Sequence, residues 1–180
     1  RGLECHKRPR GDAEISRESA VVASGAAMEN PTAVILAAGF GSRLMPLTAD
    51  RPKALVEVAG RPILDWLLSA CADAGLSRAV VVTGYAREAL EGWLRARRGP
   101  MALTAVYNPE FDTLGNAWSL HAARTVVSGD IVKLDGDLIV GAEAIRRVVA
   151  APGSAAAIDT SAALDAEAMK AQIRGEHVSA

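Results

Sequence analysis

Two glycines, an arginine and a lysine that follow an apolar run are the residues best suited to chemistry in this chain. They stand in Leu36-Ala37-Ala38-Gly39-Phe40-Gly41-Ser42-Arg43, with Pro46-Leu47-Thr48 and Arg51-Pro52-Lys53 following in order. Lacking side chains, Gly39 and Gly41 let the backbone come close to a ligand, and successive N–H groups there can form a concave nest for an anion. The Arg43 guanidinium offers a fixed fork of donors that matches phosphate oxygens, and Lys53 adds a compact positive charge. The chemistry this suits is the gripping of phosphates. A bare Gly-x-Gly is more often a tight strand-to-loop turn beside two surface cations. The arginine, the Pro-Leu-Thr and the Pro-Lys that follow in order favour the binding reading. Two familiar phosphate motifs do not fit. The dinucleotide fingerprint needs a third glycine where Leu44 stands, and no Gly-x4-Gly-Lys-Ser/Thr occurs.

Other candidates are more ambiguous. Thr83, Gly84 and Tyr85 could contact a base or ribose, or be an ordinary strand end. Asn108 and Asn116 could hydrogen-bond a nucleotide or an acceptor, or serve only the fold. Trp118 could stack on a quaternary ammonium by a cation–π contact, although a helical tryptophan is more often core. Asp135-Gly136-Asp137 offers two carboxylates in a sequence that also suits a turn. His121 reads as a helix-face residue and Cys71 as core. The two cysteines, Cys5 and Cys71, and the three histidines, His6, His121 and His177, are scattered, so no zinc site is expected.

These residues need elements to position them. Ala33 to Ala38 is a continuous apolar run closed by Gly39, as in a strand buried on both faces. Similar runs are Ala79–Thr83, Ala102–Tyr107, Asp130–Asp135 and, more weakly, Ala155–Thr160. Between them lie helical patterns from Pro62 to Gly75, Arg87 to Arg97, Ala117 to Val126 and Glu143 to Ala150. Strand alternating with helix at this spacing predicts an α/β fold: a three-layer, Rossmann-like, mainly parallel sheet. Ligands of such sheets bind at the carboxyl ends of strands. The ends at Gly39–Arg43, Thr83–Tyr85, Tyr107–Asn108 and Asp135–Asp137 are therefore expected to converge on one crevice.

The 180 residues amount to about one domain, with 1–30 expected to be a mostly disordered leader without a clear strand and 31–180 the folded part. Met28, the first methionine, is read as the start of the protein proper. Half the residues are hydrophobic, and 20 Lys and Arg against 21 Asp and Glu leave a net charge of −1. That argues against a nucleic-acid partner, which calls for a basic excess. No apolar run reaches the ~20 residues of a membrane span. The few cysteines suit a reducing cytoplasm. Oligomeric state is not legible.

Leu36–Leu55, continued by Val58-Ala59-Gly60-Arg61-Pro62-Ile63-Leu64, resembles the signature loop of the sugar-phosphate nucleotidyltransferase superfamily. The segments Val82–Tyr85, Tyr107-Asn108-Pro109, Gly115–Leu120 and Asp135–Asp137 resemble its small CTP-dependent branch, which includes phosphocholine cytidylyltransferases. The resemblance implies the GT-A-like nucleotide-diphospho-sugar transferase fold, here shortened at its C-terminus. It implies nucleotidyl transfer from a nucleoside triphosphate, CTP in that branch, to a small phosphorylated acceptor, with pyrophosphate released. By similarity, the loop residues Leu36, Ala37, Ala38, Gly39, Gly41 and Ser42 hold the nucleotide; Thr83, Gly84 and Tyr85 are further candidate contacts. Arg43 meets the leaving phosphates, and Lys53 meets the phosphate at the reaction centre. Asn108, Asn116 and Trp118 are the candidate acceptor contacts. Asp137 stands where the family places a carboxylate for Mg²⁺. The family's later part commonly supplies a second metal carboxylate, for which Asp159 and Asp165 are the weak candidates here.

Overall fold

The computed structural model describes residues 28–158 together with the strands Ala20–Val22, Gln172–Arg174 and His177–Ser179. In chain order the elements are β1 (Ala20–Val22), β2 (Thr32–Leu36), β3 (Glu57–Val58), β4 (Arg61–Pro62), α1 (Ile63–Asp73), β5 (Arg78–Thr83), α2 (Arg87–Ala96), β6 (Ala102–Tyr107), α3 (Asn116–Ala123), β7 (Ile131–Asp135), α4 (Ala142–Ala150), β8 (Ala156–Ile158), β9 (Gln172–Arg174) and β10 (His177–Ser179). Single-turn 3-10 helices at Ser42–Leu44 and Lys53–Leu55 punctuate the segment between β2 and β3.

Four parallel strands form the main sheet in the order β6-β5-β2-β7. The central pair is buried on both faces, which is why β2 and β5 read as unbroken apolar runs. Ala33, Ile35, Ala79 and Val81 point to one face, where they meet Leu64, Leu67 and Leu68 of α1, Leu90 and Leu94 of α2 and Ile145 of α4. Val34, Leu36, Val80 and Val82 point to the other, against Ala123 and Leu120 of α3. The result is the three-layer α/β arrangement predicted. Each large aliphatic side chain fully buried here contributes about 1.5–3 kcal/mol.

Helix α1 illustrates how local sequence sets an element. Ile63, Leu64, Leu67, Leu68 and Cys71 repeat at helical spacing and are all buried. The helix stops where Gly75 adopts φ 93°, a left-handed conformation that favours glycine. The Gly75 N–H then donates to Ala72 O and the Leu76 N–H to Cys71 O, closing a Schellman motif over buried Leu76. Burial pushes the Cys71 thiol pKa up to about 11, so it is an inert core group.

Two expectations need correction. The strand expected at 155–160 is present as Ala156–Ile158 but does not join the parallel sheet; it pairs antiparallel with β1. Its partner, Ala20–Val22, lies in the stretch expected to carry no strand. The runs containing Asp159 and Asp165 fall outside the described residues.

The main sheet is not laid down in one direction. The chain walks outward from β2 to β5 to β6, then returns through α3 to lay β7 on the far side of β2. Strand order thus reverses between β2 and β7, the kind of place where open α/β sheets leave a crevice.

Candidate active site

A cleft of about 540 Å³ opens at that reversal. It is lined by Leu36, Ala37, Gly39, Gly41, Ser42 and Arg43 from the end of β2, by Lys53 and Ala54, by Asp135, Gly136 and Asp137 from the end of β7, and by Asn116. The three groups predicted to do chemistry, Arg43, Lys53 and Asp137, therefore share one hollow.

Each is delivered by a specific local device. Gly41 has φ 64°, and a Cβ built on it would lie 2.8 Å from Lys53 Cβ, so only glycine lets the loop lie against the lysine. The Thr48 hydroxyl, buried, donates to Gly41 O at 3.0 Å and fixes the loop from behind. Pro52 and Ala54 are buried on either side of Lys53, which anchors its 3-10 turn while the ammonium stays half exposed. On the opposite wall, the Gly136 N–H donates to Leu36 O at 2.8 Å. A Cβ on Gly136 would sit 2.8 Å from that same oxygen and 2.8 Å from Ala37 Cβ. Glycine between the two aspartates is thus what draws β7's end tight against β2's and sets Asp137 beside the glycine loop. Lys53 Nζ and the Asp137 carboxylate form an ion pair across the cleft. Asn116 reaches the cleft as the first residue of α3.

Asp135 stands two residues before Asp137 at the end of β7. It lines the cleft as well, and Lys133 Nζ donates to its Oδ1 at 2.6 Å. The Asp-x-Asp spacing is visible in the sequence; that both carboxylates turn toward one hollow is not. The cleft therefore carries two cations and two carboxylates, each carboxylate paired with a lysine.

The remaining predicted contacts do not line this cleft. Ala38 is buried, and its carbonyl accepts the Tyr85 N–H at 2.9 Å. Thr83 is fully buried, and its hydroxyl donates to Glu91 Oε1 at 3.1 Å. Gly84 is a packing glycine: a Cβ there would meet Ala38 O and Phe111 Cβ at 2.6 Å. The Tyr85 hydroxyl donates to the carbonyls of Ala49 at 2.7 Å and Thr48 at 3.1 Å. Asn108 is fully buried; its amide donates to Ser119 Oγ and its carbonyl accepts the Glu110 N–H, both at 3.0 Å. Trp118 is neither core nor cleft. It is 42% exposed, with its ring stacked on His121 at 4.8 Å. The convergence expected of four strand ends is thus a convergence of two, joined by the start of α3.

Mg²⁺ takes near-octahedral oxygen ligation, keeps several waters and is held by one or two carboxylates plus substrate phosphates. Asp137, with Asp135 two residues before it, fits that modest demand. Among the described residues no cluster of three or more His, Cys, Asp or Glu could cage a metal without a substrate. No described helix is long and apolar enough to cross a membrane.

The family model described as nucleotidyl transferase matches residues 32–171. The chain is 39% identical over 124 residues to a CMP-5'-(3-aminopropyl)phosphonate synthase of Streptomyces rubellomurinus, covering 69% of this chain and 20% of that protein. It is 36% identical over 96 residues to the catalytic subunit beta of mannose-1-phosphate guanylyltransferase of Drosophila melanogaster, covering 53% of this chain and 26% of that one. Among solved structures, the CTP:phosphocholine cytidylyltransferase of Streptococcus pneumoniae superposes with a TM-score of 0.52 at 30% identity, covering 59% of this chain and 44% of that one. The chain spans less than half the length of each of these three proteins.

Proposed function

The chain belongs to the nucleotidyl transferase family, and from that premise we propose that it transfers CMP from CTP to a small phosphorylated amine or alcohol, such as phosphocholine, an aminoalkylphosphonate or inositol phosphate. The observation that carries this reading is the single cleft in which Arg43, Lys53 and Asp137 surround a glycine turn. Two of the compared proteins, the phosphonate CMP synthase and the phosphocholine cytidylyltransferase, act in that chemistry.

The reaction needs little from the protein beyond position and charge. A phosphate or phosphonate oxygen of the acceptor attacks the α-phosphorus in line. The bond from that phosphorus to the oxygen bridging to the β-phosphate breaks, and pyrophosphate leaves with the electron pair. The nucleophile is already anionic, so no side chain has to remove a proton from it. Catalysis then consists of holding the two reactants in line and neutralising charge as it shifts toward the leaving group. The backbone from Leu36 to Gly41 and Ser42 lies against the phosphates. Arg43 offers its fork to the departing pair, and Lys53 its ammonium to the α-phosphate. Asp137, helped by Asp135, would hold Mg²⁺, which supplies Lewis-acid charge neutralisation when bound. Asn116 is placed to meet acceptor or nucleotide.

A second reading, transfer to a sugar 1-phosphate, is favoured by the likeness to the guanylyltransferase. Measuring pyrophosphate release with each of four nucleoside triphosphates against phosphorylated amines, alcohols and sugars separates the two. Release with CTP and a phosphorylated amine or alcohol is expected. Release only with sugar 1-phosphates selects the second reading. No release from any pair, alongside measurable Mg–CTP binding, overturns both and leaves a nucleotide-binding module.

A further inference from the structure

The loop from Phe40 to Asp50, which carries Gly41 and Arg43, is mostly exposed, and its order depends on a few ties. Tyr85, at the end of β5, makes a tie at each end of that loop. Its N–H donates to Ala38 O, and its ring lies 4.7 Å from Phe40, which in turn lies 5.3 Å from Phe111. Its hydroxyl reaches the other end, donating to the carbonyls of Thr48 and Ala49. Thr48 then donates to Gly41 O, and Gly41 lies against the Lys53 side chain. A continuous set of contacts therefore runs from Tyr85 through Thr48 and Gly41 to Lys53, while Tyr85 itself stays out of the cleft.

We propose that Tyr85 is a positioning residue: its hydroxyl pins Thr48 and Ala49 so that Gly41 and Lys53 are held in register over the cleft, and it makes no contact with the nucleotide. The alternative is a direct contact to base or ribose. Such a contact would make Tyr85 a determinant of nucleotide affinity and base choice, whereas a tie to the loop would be blind to the base.

Tyr85→Phe tests this, because it keeps the ring on Phe40 and removes only the hydroxyl. A lost hydrogen bond of ordinary strength corresponds to about five-fold in an equilibrium. Trypsin cleavage of the native chain after Arg43 is therefore expected to quicken about five-fold, with the melting temperature little changed. Under the transferase reading, on which the kinetic arm rests, kcat is expected to fall about five-fold or more. KM for the nucleotide should move less than two-fold, alike for every base accepted. Thr48→Val is expected to act the same way, and the double variant to be no worse than the stronger single one, since both break one set of contacts. Unchanged cleavage in both variants overturns the proposal whatever the activity. So does a KM rise in Tyr85→Phe that depends on the base. Faster cleavage in a chain that shows no transfer with any substrate supports the tie and overturns the transferase reading instead.

Discussion

The carboxyl ends of β2 and β7 and those of β5 and β6 lie along one edge of the same parallel sheet, yet they have opposite fates. At β2 and β7, polar and charged groups face an open cleft: Arg43, Lys53, Asp135 and Asp137. At β5 and β6, polar groups of equal chemical promise are consumed internally. Thr83 is bonded to Glu91, Tyr85 to the carbonyls of the glycine loop, and Asn108 to Ser119 and Glu110. The difference follows from strand order. Consecutive strands β5 and β6 leave no gap between them, so Thr83 and Asn108, fully buried there, have only protein to bond with, and burial without a partner would be costly. The reversal between β2 and β7 leaves a crevice that a ligand can enter. One pair of ends leaves its charged groups facing open space, and the other has its polar groups satisfied by the fold.

Substitutions sharpen that contrast. The largest effects belong at the cleft: Lys53→Ala and Asp137→Ala should each lower pyrophosphate release by about 10²–10³ while leaving the melting temperature nearly unchanged. Wild-type rates in both would break the comparison on the catalytic side. At the other pair of ends, Asn108→Ala should lower stability by about 1–3 kcal/mol, read by denaturant unfolding, because it strands the buried Ser119 hydroxyl and the Glu110 N–H. Activity of the folded fraction should persist. A variant of full stability with lost turnover would move Asn108 to the catalytic side.

A smaller effect is expected at a region of neither kind. Asp65 on α1 accepts hydrogen bonds from Arg97 Nε at 2.8 Å and from Arg61 Nε at 2.9 Å. Burial raises its pKa, but the bonds to Arg97 and Arg61 outweigh that, and it lies below the usual carboxylate value. A carboxyl whose folded pKa is depressed adds stability above its unfolded pKa and loses it as pH falls through the folded one. Asp65→Asn should therefore lower stability by about 1 kcal/mol at pH 7, with the gap to the parent chain closing as acid takes both below the ordinary carboxylate range. A gap independent of pH would refute the ion-pair account.

Much of this molecule is legible in its residues alone. The buried strands show as apolar runs because both faces are covered, and α1 shows because its apolar positions recur at helical spacing before Gly75. The glycine loop with Arg43 and Lys53 shows because few other roles need those types in that order. Asp135 is harder to read, since its value lies in sharing a hollow with Asp137. Thr83, Tyr85 and Asn108 leave two readings open in the sequence, because a polar residue at a strand end looks the same whether a ligand or the protein satisfies it.

The division has a physical basis. Periodicity, turn chemistry and the demand for glycine act over a few residues, so the chain by itself determined its helices, its strands and the presence of a phosphate-suited loop. Which strand ends meet across a gap depends on the order in which strands pair, and that is settled by how α1, α2 and α3 cover the two faces of the sheet. Only the folded chain could place Lys53 opposite Asp137, 84 positions away, and bring the Tyr85 hydroxyl to the carbonyls of Thr48 and Ala49.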